Sequence, residues 1–212
     1  WNRDGIWLKD FKEENNHEVI RAVSFSPDGK IIASASDDRT IKLWRTSDGK
    51  LLKTLRGHEA KVNAVVFSSN GEKIASASDD RTIKLWRTSD GKQLRTIEGH
   101  QNTVNAVSFS PSGEIIASGS DDKTIKLWRI SDGNPLRKIN EHSETINAVI
   151  FSPDGKIIAS ASSDETVKFW EASDGKLKAT LEVHNVKIWG LSSSPDGQTL
   201  ASASDDKPVI LW

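Results

Sequence analysis

The sequence contains no cysteine, and this absence excludes several kinds of structure and chemistry. A disulfide framework, a thiolate nucleophile and a zinc site built on sulfur ligands all require that residue. The 29 basic and 30 acidic residues of the 212-residue chain leave a net charge of −1. A charge so close to neutral argues against a surface that follows nucleic-acid phosphates or an anionic membrane. We therefore expect no nucleic-acid partner and no membrane partner, and we expect no cofactor.

Long apolar runs and methionine are also missing. No apolar stretch approaches the roughly 20 residues of a membrane-spanning helix, and the first residues lack the pattern of a signal peptide. No Asn-X-Ser/Thr sequence is present, so we expect a cytoplasmic protein. Because there is no methionine even at position 1, we expect the chain to be a processed product or part of a longer reading frame.

One stretch of the sequence occurs twice without a change. SASDDRTIKLWRTSDGK runs from Ser34 to Lys50 and again from Ser76 to Lys92, 42 positions later. Tryptophans recur with the same period, at Trp44, Trp86, Trp128, Trp170 and Trp212. A period of 42 residues is typical of the four-stranded blades of β-propellers, and it lies outside the range of ankyrin and tetratricopeptide repeats.

The second unit shows what each repeat contains. Four short strand-like stretches, 62–67, 73–78, 82–86 and 92–99, are separated by turns rich in Gly, Asp, Asn and Ser. The apolar spacing of three and four that a helix requires is absent. We predict an all-β fold, a β-propeller of five four-stranded antiparallel blades.

These units resemble WD repeats, the Trp-Asp repeats of β-propellers, along the whole chain. The dipeptide that gives the family its name is missing, because each Trp is followed by Arg or Glu or ends the chain; Gly-His remains at Gly57-His58 and Gly99-His100. The low divergence between units is similar to that of propeller arrays in large bacterial signalling proteins. The resemblance implies one propeller domain over 1–212. Its blade units are approximately 16–57, 58–99, 100–141, 142–183, and 184–212 together with 1–15.

The two ends of the sequence suggest how the ring of blades closes. The chain ends on a third strand at Trp212, whereas IWLKDF (6–11) fits a fourth strand. We expect 6–11 to pair with the last three strands and close the ring, which hides exposed sheet edges. The alternative is an open five-blade segment of a longer array, completed by missing sequence or by another copy of the chain.

Histidine, serine, aspartate and tryptophan recur at fixed offsets, with His 28, Ser ten and Asp six residues before each Trp. The complete sets are His58, Ser76, Asp80 and Trp86; His100, Ser118, Asp122 and Trp128; His142, Ser160, Asp164 and Trp170; and His184, Ser202, Asp206 and Trp212. The first unit keeps Ser34, Asp38 and Trp44 but has Asn16 at the His position.

Each of these sets could be interpreted as a hydrolase triad, with a serine nucleophile beside a histidine base and an aspartate. An enzyme needs one such site, whereas the complete set recurs in four of the five units. In the family that the units resemble, the four residues form a hydrogen-bonded network from the indole through Ser to His and Asp. Buried polar groups left unpaired cost about 1–3 kcal/mol each, which gives such a network a structural purpose. We predict structural tetrads, no catalytic residue and no enzymatic activity. The doubled Asp lacks the glycine-rich loop of a calcium site, so we predict no metal.

The residues that differ between units are the candidates for binding. In the family resembled, the loops before the first strand of each blade and the turns between its second and third strands share one face, which usually receives partners. Trp189 stands there in place of Arg or Asn, and an exposed Trp beside charged residues is typical of a hot spot. The alternative is that Trp189 fills space left by Gly190 and Ser193. The candidate partner-binding residues are Trp189, Lys187, Arg21, Glu165, Arg39, Arg81 and Lys123.

These observations predict a non-catalytic protein–protein interaction scaffold. A rigid propeller would present its loops to a protein or peptide partner whose identity the sequence does not contain. The alternative is a structural, self-assembling segment whose near-identical blades oligomerise or complete a larger propeller.

Overall fold

The computed structural model describes residues 19–182, 185–205 and 209–212, and these ranges form strands and turns. Blade 1 contains β1 (Ile20–Phe25), β2 (Ile31–Ser36), β3 (Thr40–Arg45) and β4 (Leu51–Arg56). Blade 2 contains β5 (Val62–Phe67), β6 (Lys73–Ser78), β7 (Ile83–Arg87) and β8 (Gln93–Ile97). Blade 3 contains β9 (Val104–Phe109), β10 (Ile115–Ser120), β11 (Ile125–Arg129) and β12 (Pro135–Ile139). Blade 4 contains β13 (Ile146–Phe151), β14 (Ile157–Ser162), β15 (Val167–Glu171) and β16 (Leu177–Leu181), and blade 5 contains β17 (Ile188–Ser193), β18 (Leu200–Ser204) and β19 (Ile210–Leu211).

Each blade is one antiparallel sheet in which neighbouring strands are consecutive in the chain. The predicted all-β fold of five antiparallel blades is therefore confirmed. Blade 5 contributes three strands to the described residues. The strand expected over 6–11, and with it the predicted closure of the ring, lies outside those residues. Within the described ranges there is no helix that could cross a membrane.

Alternate residues of a strand point to opposite sides of the sheet, so a central blade has side chains on two faces. Both faces are buried, because a neighbouring blade packs on each. In blade 2, Ile83 and Leu85 point toward blade 3, whereas Ile74 and Trp86 point toward blade 1. All four side chains are buried. We call the face toward the preceding blade the leading face, and the face toward the following blade the trailing face.

The hydrophobic core lies between consecutive blades. Leu85 and Ile97 on the trailing face of blade 2 form one cluster with Val107, Phe109 and Trp128 on the leading face of blade 3. Equivalent clusters join blade 1 to blade 2 and blade 3 to blade 4. A smaller cluster joins blade 4 to blade 5. The repeat therefore specifies one interface that is used again at each step along the chain.

Candidate functional site

The conserved offsets within each unit produce a hydrogen-bonded network, which is complete in blade 2. Trp86 Nε1 donates to Ser76 Oγ over 2.9 Å, and His58 lies 2.7 Å from Ser76 through Nε2 and 2.7 Å from Asp80 through Nδ1. A carboxylate can only accept a hydrogen bond, so Nδ1 of His58 carries the proton and donates a hydrogen bond to Asp80. In the neutral imidazole, Nε2 then accepts from the Ser76 hydroxyl.

The same network recurs in the next two blades. The bonded sets are His100, Ser118, Asp122 and Trp128 in blade 3 and His142, Ser160, Asp164 and Trp170 in blade 4. Indole-to-serine bonds are also present in blades 1 and 5, from Trp44 to Ser34 and from Trp212 to Ser202. Asp38 of blade 1 accepts from Thr40 and Lys42. The predicted members His184 and Asp206 lie outside the described residues.

Asp80 connects the loop before blade 2 to the turn between β6 and β7. Its carboxylate accepts from the backbone N–H of Glu59 at 3.0 Å and from the Thr82 hydroxyl at 2.7 Å. Burial raises the pKa of the Asp80 carboxyl, but the hydrogen bonds from His58 and Thr82 lower it, and the net effect is a pKa well below the ordinary value. Asp80 is therefore ionised, and it holds two separate segments of the blade together.

The serine at the centre of each complete network is fully buried and already bonded on two sides. Ser76, Ser118 and Ser160 have no exposed surface, so a substrate cannot reach these hydroxyls in this conformation. Among the described residues, no three His, Cys, Asp or Glu side chains are placed to hold a metal ion. The geometry is that of a structural network.

A β-bulge occupies one position in the first strand of every blade. The pairing register of β5 with β6 shifts between Val62 and Ala64, which leaves Asn63 as the extra residue. A bulge bends a strand and redirects a side chain. The bulged positions are Arg21, Asn63, Asn105, Asn147 and Trp189.

Each bulged residue bonds to the turn between the second and third strands of its own blade. Asn63 Nδ2 donates to Asp79 Oδ1 at 2.7 Å and lies 3.2 Å from the carbonyl oxygen of Val104 in blade 3. Equivalent pairs are Asn105 with Asp121 and Asn147 with Ser163. In blades 2 and 3 this explains the doubled Asp: the first binds the bulged residue, and the second binds the histidine. Sequence reasoning missed the first pair, although its constant offset of 16 residues was visible.

Two bulged residues differ from asparagine. Arg21 makes two bonds to Asp37, of 2.6 and 2.9 Å, and these bonds, together with Lys61 at 3.3 Å, lower the pKa of Asp37 to about 2. Trp189 donates from Nε1 to Asp205 at 2.7 Å while the side chain remains 52% exposed. Both side chains lie at the end of the blades that carries the loops before the first strands and the turns between second and third strands, which we call the loop end.

Among the described turns of the loop end, four hold a charged residue in the left-handed conformation. Arg39, Arg81, Lys123 and Glu165 have φ between 66° and 72°, and all four are exposed. A non-glycine residue in this region costs about 1–2 kcal/mol. Glycine or asparagine would suit the position better. Sequence reasoning placed these residues in turns but gave no sign of this strain.

The other candidate residues lie near these turns. Lys187 is exposed immediately before β17. Lys123 Nζ donates a hydrogen bond to the carbonyl oxygen of Ser143 and lies 3.1 Å from Glu144 Oε1. Its side chain therefore connects the turn of blade 3 to the loop before blade 4. The loop end therefore presents Trp189 together with charges of both signs.

The space beside Ser193 forms a cavity of about 310 Å³ between blades 4 and 5. Ser193 replaces the Phe found in the first strands of the other four blades. Phe169, Leu181 and Trp212 line the cavity with it, and Trp189 does not. The exposed indole of Trp189 therefore does not fill the space left by the smaller residues.

Two family models match the sequence. The family described as the second β-propeller of echinoderm microtubule-associated protein matches residues 20–187, and the family described as WD domain, G-beta repeat matches residues 175–212. Together they cover all five described blades.

Several curated proteins are similar to parts of the chain. The transcriptional corepressor LEUNIG_HOMOLOG of Arabidopsis thaliana is 40% identical over 63 residues, 29% of this chain and 8% of the relative. The general transcriptional corepressor TUP1 of Saccharomyces cerevisiae is 44% identical over 43 residues, 20% of this chain and 6% of the relative. WD repeat and SOCS box-containing protein 1 of Homo sapiens is 48% identical over 44 residues, 20% of this chain and 10% of the relative.

The matched segments thus span no more than 10% of these relatives. All three are eukaryotic, so they give no support to the predicted bacterial signalling array. The five repeated blades, the tetrads and the match over residues 20–187 agree with one another. The chain belongs to the WD-repeat β-propeller family, in the group described by the second propeller of echinoderm microtubule-associated protein.

Proposed function

We propose that this chain is a non-catalytic scaffold that binds a protein or peptide through its loop end. The observation that carries the proposal is the exposed Trp189 beside a row of charged turn residues. Tryptophan and arginine are enriched among the residues that dominate binding energies. Membership of the WD-repeat family supports an interaction scaffold in general.

The strain in the turns supports a role for their side chains. Strained backbone conformations cluster at functional sites, where the surrounding structure holds them in place. Four blades carry Arg, Arg, Lys and Glu where glycine or asparagine would cost less. We infer that the charges contribute to binding.

The proposed absence of catalysis follows from the buried serines. The three Ser-His-Asp sets that are complete among the described residues keep their hydroxyls bonded and inaccessible. The near-neutral net charge favours a protein or peptide partner over nucleic acid or a membrane. We also propose a cytoplasmic location, which imaging of a fluorescent fusion tests.

Selection of a displayed peptide library against the chain, followed by affinity measurement, tests the loop end. Trp189→Ala, Glu165→Lys and Arg81→Asn each change this end without touching the blade interfaces. Asparagine tolerates the left-handed conformation, so Arg81→Asn removes charge without adding strain. We expect Trp189→Ala to weaken binding of a selected peptide by at least about tenfold.

Lys30→Glu is the matched control, because Lys30 is exposed in the turn between β1 and β2 at the opposite end of the blades. It should leave peptide affinity unchanged. Peptides that bind all three loop-end variants as tightly as the wild type would contradict the proposed site.

A second candidate function is self-association. It is favoured by the apolar side chains that blade 1 and blade 5 expose on their outer faces, among them Phe25 and Leu211. This activity does not use the loop end, so both functions can belong to one chain.

A further inference from the structure

The interfaces between consecutive blades repeat the same contacts. Val65 and Phe67 on the leading face of blade 2 pack with Leu43 and Leu55 of blade 1. At the next step, Val107 and Phe109 of blade 3 pack with the trailing face of blade 2. These side chains are nearly fully buried, with Phe67 only 8% exposed.

The first strand of blade 1 presents the equivalent positions of its leading face to solvent, whereas Trp44, at the position of Trp86, is only 5% exposed. Val23 and Phe25 occupy the positions of Val65 and Phe67, 42 residues earlier, yet they are 65% and 60% exposed. Ile20, at the position of the fully buried Val62, is also exposed. Among the described strands, none packs on this face as blade 1 packs on blade 2.

Blade 5 presents the matching trailing face. Val209 and Leu211 occupy the positions of Ile83 and Leu85, which are each 1% exposed in blade 2. In blade 5 the two side chains are 65% and 69% exposed. Within the described ranges, no strand of blade 1 packs against a strand of blade 5 as neighbouring blades do.

The exposed side chains of β1 and β19 therefore correspond to side chains that meet at the internal interface between blades 2 and 3, where Val104, Val107 and Phe109 pack with Ile83 and Leu85. Exposed apolar patches of this kind mark interaction sites, and the four internal interfaces show which surface fits each half. The leading face of blade 1 is therefore a surface that fits the trailing face of blade 5.

We propose that the trailing face of blade 5 in one copy binds the leading face of blade 1 in a second copy. Because the two surfaces differ, the contact is head-to-tail and continues the row of blades from one chain into the next. The inference deepens the self-association candidate by naming its surfaces, and its test uses no peptide and no substitution at the loop end.

Light scattering and sedimentation of the full 212-residue chain over a wide range of concentration test this contact. We expect the average mass of the wild type to rise with concentration above the 23.3 kDa of one chain. Phe25→Asp and Leu211→Asp each place a charge in one half of the interface and should remain at the mass of one chain. Both side chains are exposed, so the variants are expected to fold, and circular dichroism checks this.

Mixing the two variants gives the sharper result. Phe25→Asp keeps an intact trailing face and Leu211→Asp keeps an intact leading face, so each contributes one good half. An equimolar mixture should form a dimer of twice 23.3 kDa that grows no further. Leu177→Asp is the matched control, because Leu177 is an exposed leucine in the outermost strand of blade 4, and it should associate like the wild type.

Three outcomes would overturn the proposal. A wild-type mass of one chain at every concentration would favour contact of the two faces within a single chain. Association that survives Leu211→Asp would mean that another surface is used. Failure of the mixture to form the dimer would exclude the head-to-tail arrangement. None of these outcomes alters the affinity test of Trp189, so failure of one proposal leaves the other to its own experiment.

Discussion

At the scale of single residues, the protein repeatedly solves one problem, the burial of a tryptophan that carries an N–H group. Trp86 is almost completely buried, and its indole hydrogen bonds to a serine that has no exposed surface. The serine is satisfied in turn by His58, and the histidine by Asp80. Each group is paired only because the next one is present, so the serine at the centre is the sensitive position.

Ser76→Ala should therefore destabilise the fold through its neighbours. The substitution leaves the Trp86 N–H and one nitrogen of His58 unpaired in the core, at a cost of about 1–3 kcal/mol for each such group. Chemical denaturation of the two proteins measures the difference in the free energy of unfolding. Ser89→Ala, at an exposed position in a turn, should change stability very little. Equal effects of the two substitutions would contradict the structural role of the network.

The Arg21–Asp37 pair should make stability depend on pH in the acid range. The pKa of Asp37 is lowered to about 2 in the folded chain, from an ordinary value of 3.8. The stabilisation is therefore complete above 3.8 and is lost as the pH falls toward 2. Asp37→Asn should reduce the decline in the denaturation midpoint across this window.

Asp79→Asn is the matched control for that measurement, because Asp79 holds the same position in blade 2 and accepts from the neutral amide of Asn63. The substitution removes one carboxylate that pairs with an amide, so it controls for the loss of an acidic residue at this position. If the Asp37→Asn curve keeps the slope of the wild type between pH 3.8 and pH 2, the pair does not act as described.

At the scale of elements, the interface between blades 4 and 5 differs from the other three. Phe169 on β15 replaces the leucine of the earlier third strands, and Ser193 on β17 replaces the phenylalanine of the earlier first strands. Both residues line the same cavity of about 310 Å³. The larger side chain on one blade thus partly offsets the smaller one on the next.

A double-mutant cycle tests this compensation. Phe169→Leu alone should enlarge the cavity and destabilise the fold by about 1 kcal/mol or more. Adding Ser193→Phe recreates the pair found between the other blades, so it should recover stability with a favourable coupling of about 0.5–3 kcal/mol. Chemical denaturation of the four proteins gives the coupling. Ser192→Phe, at the adjacent exposed position of β17, should give no recovery; equal recovery by both would argue against a specific fit.

At the scale of the whole molecule, stability is distributed along a row of blades. Blades 2, 3 and 4 each pack on two neighbours, whereas blades 1 and 5 each leave apolar side chains of one face exposed in the described residues. In repeat architectures the stability of a unit depends mainly on its contacts with adjacent units. The terminal blades should therefore open more readily than the central ones.

Amide hydrogen exchange measures this gradient directly. At concentrations where the chain is a single copy, we expect the amides of β6, β10 and β14 to exchange slowest. Among the first strands of the blades, we expect β1 and β17 to exchange fastest. If the outer faces bind each other between copies, protection of β1 and β19 should rise with concentration, and Leu211→Asp should abolish the rise. Uniform protection of all five blades in the single copy would contradict the gradient.

Much of this protein could be predicted from its sequence because its information is repeated at a fixed spacing. The period of 42 residues, the strand-like stretches and the turn residues indicate five antiparallel blades, since strand pairing between consecutive segments is a local matter. The offsets of His, Ser, Asp and Trp could be recognised in the same way, because four of the five units contain all four residues. The contacts within a single unit could therefore be predicted from the sequence.

Other properties depend on how the units meet and bend, and only the tertiary structure decided them. The bulge at Asn63 directs its side chain toward Asp79. The left-handed backbone conformation of Arg81 cannot be predicted from its residue type. The exposure of Phe25 and Leu211 cannot be inferred from residues that are buried at the same positions of other units. Identical sequence becomes core or surface according to whether a neighbouring blade covers it, and that is a property of the assembled fold.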